Sequence, residues 1–215
     1  AGGDQRLALP LAAGVELIHN FSLIHDDIQD NSQIRRSRPT VWARFGRSQA
    51  INAGDALFTY AHLALQQDVG LTSETRLEAL RILDETCISL TKGQHLDMAF
   101  ETQEIVSIED YMSMISGKTA SLISAATEFG ALAADAQDNV RLHYRAYGHY
   151  LGLAFQIRDD ILGIWGASAE TGKSSSTDIE RGKKTLPILY GLRQSSELRE
   201  LYRKDDLNTD TVRNI

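Results

Sequence analysis

One cysteine, three prolines and no uninterrupted apolar run of 18 residues occur in the 215-residue sequence. With Cys87 alone, no internal disulfide and no thiolate zinc cluster can form, so a reducing, cytoplasmic setting is expected. Residues 1–7 hold neither a basic n-region nor an apolar h-region, so neither secretion nor a membrane span is expected. Basic charge is also short: 22 Lys and Arg face 29 Asp and Glu, for a net charge of −7 and a pI near 5.4. That balance argues against a nucleic-acid partner. The apolar share of 42% excludes disorder by composition, and with no internal composition shift the length fits a single domain over 1–215. The sequence lacks an initiating Met and stops soon after a helix-like segment begins near Val212, so a longer chain truncated at both ends is expected.

The prolines, Pro10, Pro39 and Pro187, fall at the edges of periodic segments, the distribution an all-helical protein needs. Apolar residues recur at three- and four-residue steps over 9–30 and 51–69, and further helices are predicted over 73–100, 107–116, 118–134, 138–165 and 186–193. Strand alternation never lasts long enough to build a sheet. Residues 166–185 are rich in Ser and Gly and carry Lys173 and Lys183, which predicts a flexible active-site loop. Residues 31–45 form a second polar connection containing Arg35, Arg36 and Arg38.

The sharpest feature is His25-Asp26-Asp27-Ile28-Gln29-Asp30, three carboxylates at the end of an apolar helix, where repulsion is greatest. At 100° per residue Asp26 and Asp30 lie about 40° apart and one turn apart, able to converge on one hard cation with Asp27 alongside. Mg²⁺ suits such a half-site; a solvated acidic helix end is the plainer alternative. A second pair, Asp159-Asp160, is again embedded in apolar helix, with Gln156 on the same face, and Arg158 offers simple surface neutralisation as its alternative. Arg35, Arg36, Lys118, Lys173 and Lys183 stand near these pairs in sequence. Carboxylates with Mg²⁺ on one side and ammonium and guanidinium groups on the other make a diphosphate clamp. Glu170-Thr171-Gly172-Lys173-Ser174 is not a P-loop, because Ala167 stands where the first Gly is required. His19, His25, His62 and His95 have no HExxH or triad spacing.

Six ordered stretches together resemble the trans-isoprenyl diphosphate synthases, a family of polyprenyl synthetases. They are GVELIHNFSLIHDDIQDNSQIRRSRPTVWARFG, NAGDALF, KGQHLDMAFE, GKTA, FQIRDDILGIWG and GKSSSTDIERGKKTLP. The resemblance implies an all-α isoprenoid synthase-type bundle around a central apolar cavity. It also implies Mg²⁺-dependent elongation of an allylic prenyl diphosphate with isopentenyl diphosphate. Asp26, Asp27 and Asp30 would bind Mg²⁺ bridging the allylic diphosphate, and Asp159 and Asp160 a further Mg²⁺ from a facing helix, three ions in all with diphosphate bound. Lys118, Lys173 and Arg35 would grip the allylic diphosphate and Arg36 the isopentenyl diphosphate. Gln156 and Thr119 would line the reaction centre, Lys183 would belong to the closing loop, and Gln94 and Asp97 would support. In the family, an aromatic five places before the first motif and a small residue at four, here Phe21 and Ser22, go with a C20 product. That implies geranylgeranyl diphosphate, with farnesyl next, though Phe21 is also explained as plain core.

A homodimer is the expected assembly. Two departures stand out: Gly163 occupies the place of a third Asp in the second motif, and the family's N-terminal isopentenyl diphosphate region is absent. A prenyl-synthase-like terpene cyclase and a non-catalytic subunit of a heteromeric synthase are the competing functions. Arg36 and the intact first motif favour elongation.

Overall fold

The computed structural model describes residues 2–103, 105–166 and 182–204. In chain order these form α1 (Gln5–Gln29), β1 (Ile34–Arg35), β2 (Arg38–Pro39), α2 (Val41–Phe45), α3 (Arg47–Leu65), α4 (Ser73–Thr102) and α5 (Ile108–Ile115). A π turn (Ser116–Ala120), α6 (Ser121–Ala133), α7 (Asp138–Trp165), α8 (Leu186–Gln194) and α9 (Ser196–Lys204) follow. The all-α expectation is borne out, with the antiparallel β1–β2 pair the single sheet among the described residues.

Helix ends follow local chemistry. Ser107 starts α5 through a reciprocal capping box with Asp110, and Pro187 sits in the first turn of α8, where its missing N–H costs nothing. Pro10 is a correction: it lies inside α1, not at its edge, because the Asp4 carboxylate caps the Arg6 N–H and starts the helix a turn earlier. The predicted 51–69 helix spans Arg47–Leu65 instead, opening directly after Gly46, whose φ of 86° suits only glycine. The 118–134 helix divides into the π turn and α6, and α9 was not foreseen at all.

The chain divides into two compact units, 1–88 with 121–150 and 89–120 with 151–215, with boundaries inside α4 and α7. In the first, α1 packs against α3 and α6, burying Leu11, Ile18, Ala61, Leu65 and Phe129. Gly14 of α1 faces Leu65 of α3, Phe21 faces Phe58, and Gly54 faces His25, so each step forward on α1 matches an equal step back on α3. The two helices are antiparallel, and a Cβ on Gly54 would collide with the His25 ring. By length and composition α1 is apolar enough to cross a membrane, with a mean hydropathy of 1.5 over its best window. The run is not uninterrupted, since Glu16, His19 and Asn20 fall within it.

The second unit centres on Phe100, Val106, Tyr111, Met114, Ile115 and Leu189, with Leu96, Leu153 and Ile157 packed around them. A smaller cluster of Ile164, Ile188 and Leu198 joins α7, α8 and α9. Most of the loop expected over 166–185, including Lys173, lies outside the described residues, as does the helix-like segment near Val212.

Candidate active site

In the first unit, α1 ends at Gln29 with no basic residue in its last turn, so Asp26, Asp27 and the C-capping Asp30 crowd the negative pole of the helix. Arg35 supplies the opposite charge. Its Nε donates to Asp27 Oδ1 at 2.8 Å and its Nη2 to Asp26 Oδ2 at 3.0 Å. Asp27 is buried, and burial raises its pKa; Arg35 opposes this while the charges of Asp26 and Asp30 add to it.

The chain delivers Arg35 to this point through a hairpin. The Ser32 N–H donates to the Asp27 carbonyl at 2.9 Å, and the Ser32 carbonyl accepts from Thr40 Oγ1 and Trp42 Nε1, each at 2.8 Å. Arg35 pairs with Arg38 across a two-residue turn whose central residues, Arg36 and Ser37, have φ of 51° and 61°. Asn-Gly is the usual occupant of such a turn, so holding Arg-Ser there costs about 1 kcal/mol per residue. The turn sends Arg35 inward onto the carboxylates and leaves Arg36 exposed at the tip.

In the second unit the π turn carries Gly117, Lys118 and Thr119, and a widened turn of this kind re-aims side chains. Gly93 of α4 admits it: a Cβ there would strike the backbone of Gly117 and Lys118. Asp97, one turn beyond Gly93, then receives Lys118 Nζ on Oδ2 at 2.5 Å, and Lys183 Nζ lies 3.6 Å from the same oxygen. Asp97, assigned only support by resemblance, is thus the shared anchor of two lysines.

Thr119 Oγ1 donates to Gln156 Oε1 at 2.6 Å, and Gln156 Nε2 donates to Asp160 Oδ1 at 2.8 Å. Asp160 Oδ2 accepts from Tyr111 Oη at 2.7 Å and from the Leu186 N–H at 3.1 Å. The carboxylate therefore caps α8 while fixing which way the Gln156 amide points. Asp160 is buried and its pKa is raised by that burial, against its three donors; Asp159 beside it is exposed. Tyr111, wholly buried, has its own pKa raised by burial and by the Asp160 charge. Sequence reasoning missed Tyr111, and no local pattern marks it: it reads as one more ring in an apolar helix.

The donor chemistry fits Mg²⁺. Asp26, Asp30 and Asp159 are hard carboxylates with exposed or partly exposed side chains, with no Cys and no neutral imidazole in the first motif's metal-facing set. Among the described residues no three acidic, His or Cys groups converge into a ready-made cluster. On α7 the place one turn after Asp159 is Gly163, which offers no oxygen from a side chain.

The sequence model of the polyprenyl synthetase family matches residues 2–215. The (2E,6E)-farnesyl diphosphate synthase of Mycobacterium tuberculosis strain H37Rv is 46% identical over 88% of this chain and 52% of its own length. The geranylgeranyl diphosphate synthase of the same organism is 45% identical over 91% of this chain and 55% of its own. The chain thus spans about half the length of these curated relatives. The crystal structure of a polyprenyl synthetase from Streptomyces coelicolor A3(2) superposes with a TM-score of 0.88 at 38% identity, covering 100% of this chain and 63% of that one. Sequence and backbone agree from one end of the described residues to the other, and the chain belongs to the polyprenyl synthetase family.

Proposed function

We propose that the protein elongates an allylic prenyl diphosphate with isopentenyl diphosphate, releasing diphosphate, with geranylgeranyl diphosphate as the main product and farnesyl diphosphate next. What carries this reading is the acidic end of α1, where Asp26 and Asp27 already require the Arg35 guanidinium beside them. Ionising a C–O bond to an allylic cation demands a stabilised leaving group rather than a nucleophilic side chain. Bound at Asp26, Asp27 and Asp30, and at Asp159 with Asp160, Mg²⁺ would supply positive charge to that diphosphate, three ions in all. Arg35, Lys118 and Lys173 would hold the diphosphate directly, and Arg36 the isopentenyl diphosphate. Asp97 would steady Lys118, whose Nζ it meets at 2.5 Å, and Lys183, at 3.6 Å, for this work. Thr119 and Gln156, fixed by their mutual hydrogen bond, would present oxygens to the allylic cation. Apolar helix surface would keep water from quenching it.

The active assembly in this reading is a homodimer with its substrates as sole small-molecule partners. The test is incubation of the protein, at its full natural length, with Mg²⁺, labelled isopentenyl diphosphate and each allylic primer in turn. Discrete labelled prenyl diphosphates are expected. Diphosphate release without label incorporation would replace elongation with cyclisation or hydrolysis, and no reaction at all would point to a partner-dependent subunit.

A further inference from the structure

The two relatives above are named for products of different length, yet they match this chain almost equally well, at 46% and 45% identity. Overall similarity therefore does not choose the product, and local residues must. Phe21 lies five residues before Asp26, about 7.5 Å down α1 at 1.5 Å per residue. It does not stand alone. Its ring meets His25 at 4.7 Å on one side and Phe58 of α3 at 5.3 Å on the other, both edge-on, and Phe58 in turn meets His62 at 4.6 Å.

The stack is fixed at both ends. His25 Nε2 lies 3.7 Å from Asp55 Oδ1 and 3.4 Å from the Ile51 carbonyl. At the far end His62 Nε2 meets Asp84 Oδ1 of α4 at 2.8 Å, and its Nδ1 meets the Phe58 carbonyl at 2.9 Å. Occupied ring nitrogens on both sides remove the freedom of the imidazole to rotate, and the ring then backs Phe58 from one helical turn below. These rings are not sealed core. Phe129 and Tyr111 are fully buried, whereas Phe21, Phe58 and His62 each retain accessible surface. A surface of rigid, partly open aromatic rings is a floor against which an apolar tail can stop.

We propose that His62, held by Asp84, is a positioning residue for product length: it fixes Phe58 against Phe21, so the floor is the four-ring stack rather than Phe21 alone. This rests on the elongation reading above. A prenyl chain descending along α1 reaches Phe21 and Phe58 together, and moving either ring aside opens roughly one further turn, about 5.4 Å, close to the length of one added isoprene unit. With the His62 ring gone, Phe58 keeps its place on α3 but loses the group that limits its rotamer.

The test uses the full-length protein with farnesyl diphosphate and labelled isopentenyl diphosphate, resolving products after dephosphorylation. His62→Ala is expected to raise the C25-to-C20 ratio about tenfold, and His62→Phe, which keeps a ring behind Phe58, is expected to restore the wild-type ratio. Asp84→Ala, at an exposed carboxylate, is expected to shift the ratio in the same direction by a smaller factor, and it reads the proposal should His62→Ala fail to fold. An unchanged ratio in a folded His62→Ala or Asp84→Ala protein, beside normal wild-type elongation, overturns the length assignment alone. Failure of the wild-type protein to elongate any primer overturns the elongation reading, and the length assignment falls with it.

Discussion

The two acidic motifs hold their buried carboxylates by different physics. Asp27, in the first unit, faces a guanidinium; Asp160, in the second, faces a phenol, an amide and a backbone N–H, all neutral. Charge pairs are not confined to the first motif, since Asp97 of the second unit holds Lys118 at 2.5 Å. In the first unit Glu128 is buried against Arg141 at 3.3 Å, and Glu78 is held at a pKa of about 2 by Arg81 and Arg141. Charge pairs act at a distance and tolerate imperfect geometry, but salt and pH weaken them. Neutral donors are short-range and directional, so they fix orientation. The first motif thus holds its carboxylates by charge, and the second is built to keep Gln156 and the start of α8 in one arrangement.

The largest effect that sharpens this contrast is catalytic. Asp26→Ala is expected to lower kcat for elongation about a thousandfold, the scale of removing a main electrostatic group. Asp160→Asn keeps an acceptor for Tyr111 and Leu186 and is expected to cost only about tenfold, through a reoriented Gln156 amide. Steady-state kinetics at saturating Mg²⁺ checks both, and equal losses would erase the distinction between the motifs.

Stability should show the reverse order. Asp160→Ala strands three donors, one of them the wholly buried Tyr111 hydroxyl, and is expected to cost about 3 kcal/mol in denaturant unfolding. Asp27→Asn removes a buried charge that already binds a proton more readily than usual, and the expected change is under about 1 kcal/mol. A larger loss at Asp27 than at Asp160 would mean that the first motif, too, is a structural anchor.

Salt separates the two at smaller scale. Arg35→Gln is expected to destabilise the protein by about 1 kcal/mol at low ionic strength and by less at 1 M NaCl, where the screening length is near 3 Å. Tyr111→Phe loses one neutral hydrogen bond, about 1 kcal/mol, and its cost should not change with salt. Denaturant midpoints of the wild type and both variants at two salt concentrations decide this, and parallel salt responses would contradict the comparison.

What the sequence made legible is what depends on local order. The positions of the prolines and the three-to-four-residue apolar spacing located most helices, and paired aspartates within apolar helix marked both motifs. The remainder depends on contacts between residues far apart in the chain. Tyr111 meets Asp160 across 49 positions, and neither neighbourhood names the other. The π turn that aims Lys118 exists because Gly93, on another helix, lets the backbone come close. The hairpin that delivers Arg35 uses Arg36 and Ser37 at positive φ, where a reader of turn signals looks for Asn-Gly. Pro10 misled for the opposite reason: a strong local rule was overruled by the Asp4 cap upstream.

The smallest effect concerns pH, and it also divides charge pairs from neutral donors. Burial lowers the His62 pKa, but the Phe58 carbonyl and the Asp84 carboxylate outweigh it, leaving the value raised above the ordinary 6.5. A His with a raised folded-state pKa stabilises the fold fully below its unfolded value, and that contribution is lost as pH rises through the folded value. The His62–Asp84 pair should therefore stabilise the first unit fully below about pH 6.5 and progressively less above it. Comparing wild type with His62→Gln, the gap in Tm should be widest near pH 6 and narrow toward pH 8. For Tyr111→Phe, whose neutral phenol does not titrate there, the gap should stay constant over the same range. A gap for His62→Gln that widens with rising pH would mean that the imidazole is held neutral, and its contact with Asp84 would then be a neutral hydrogen bond rather than a charge pair.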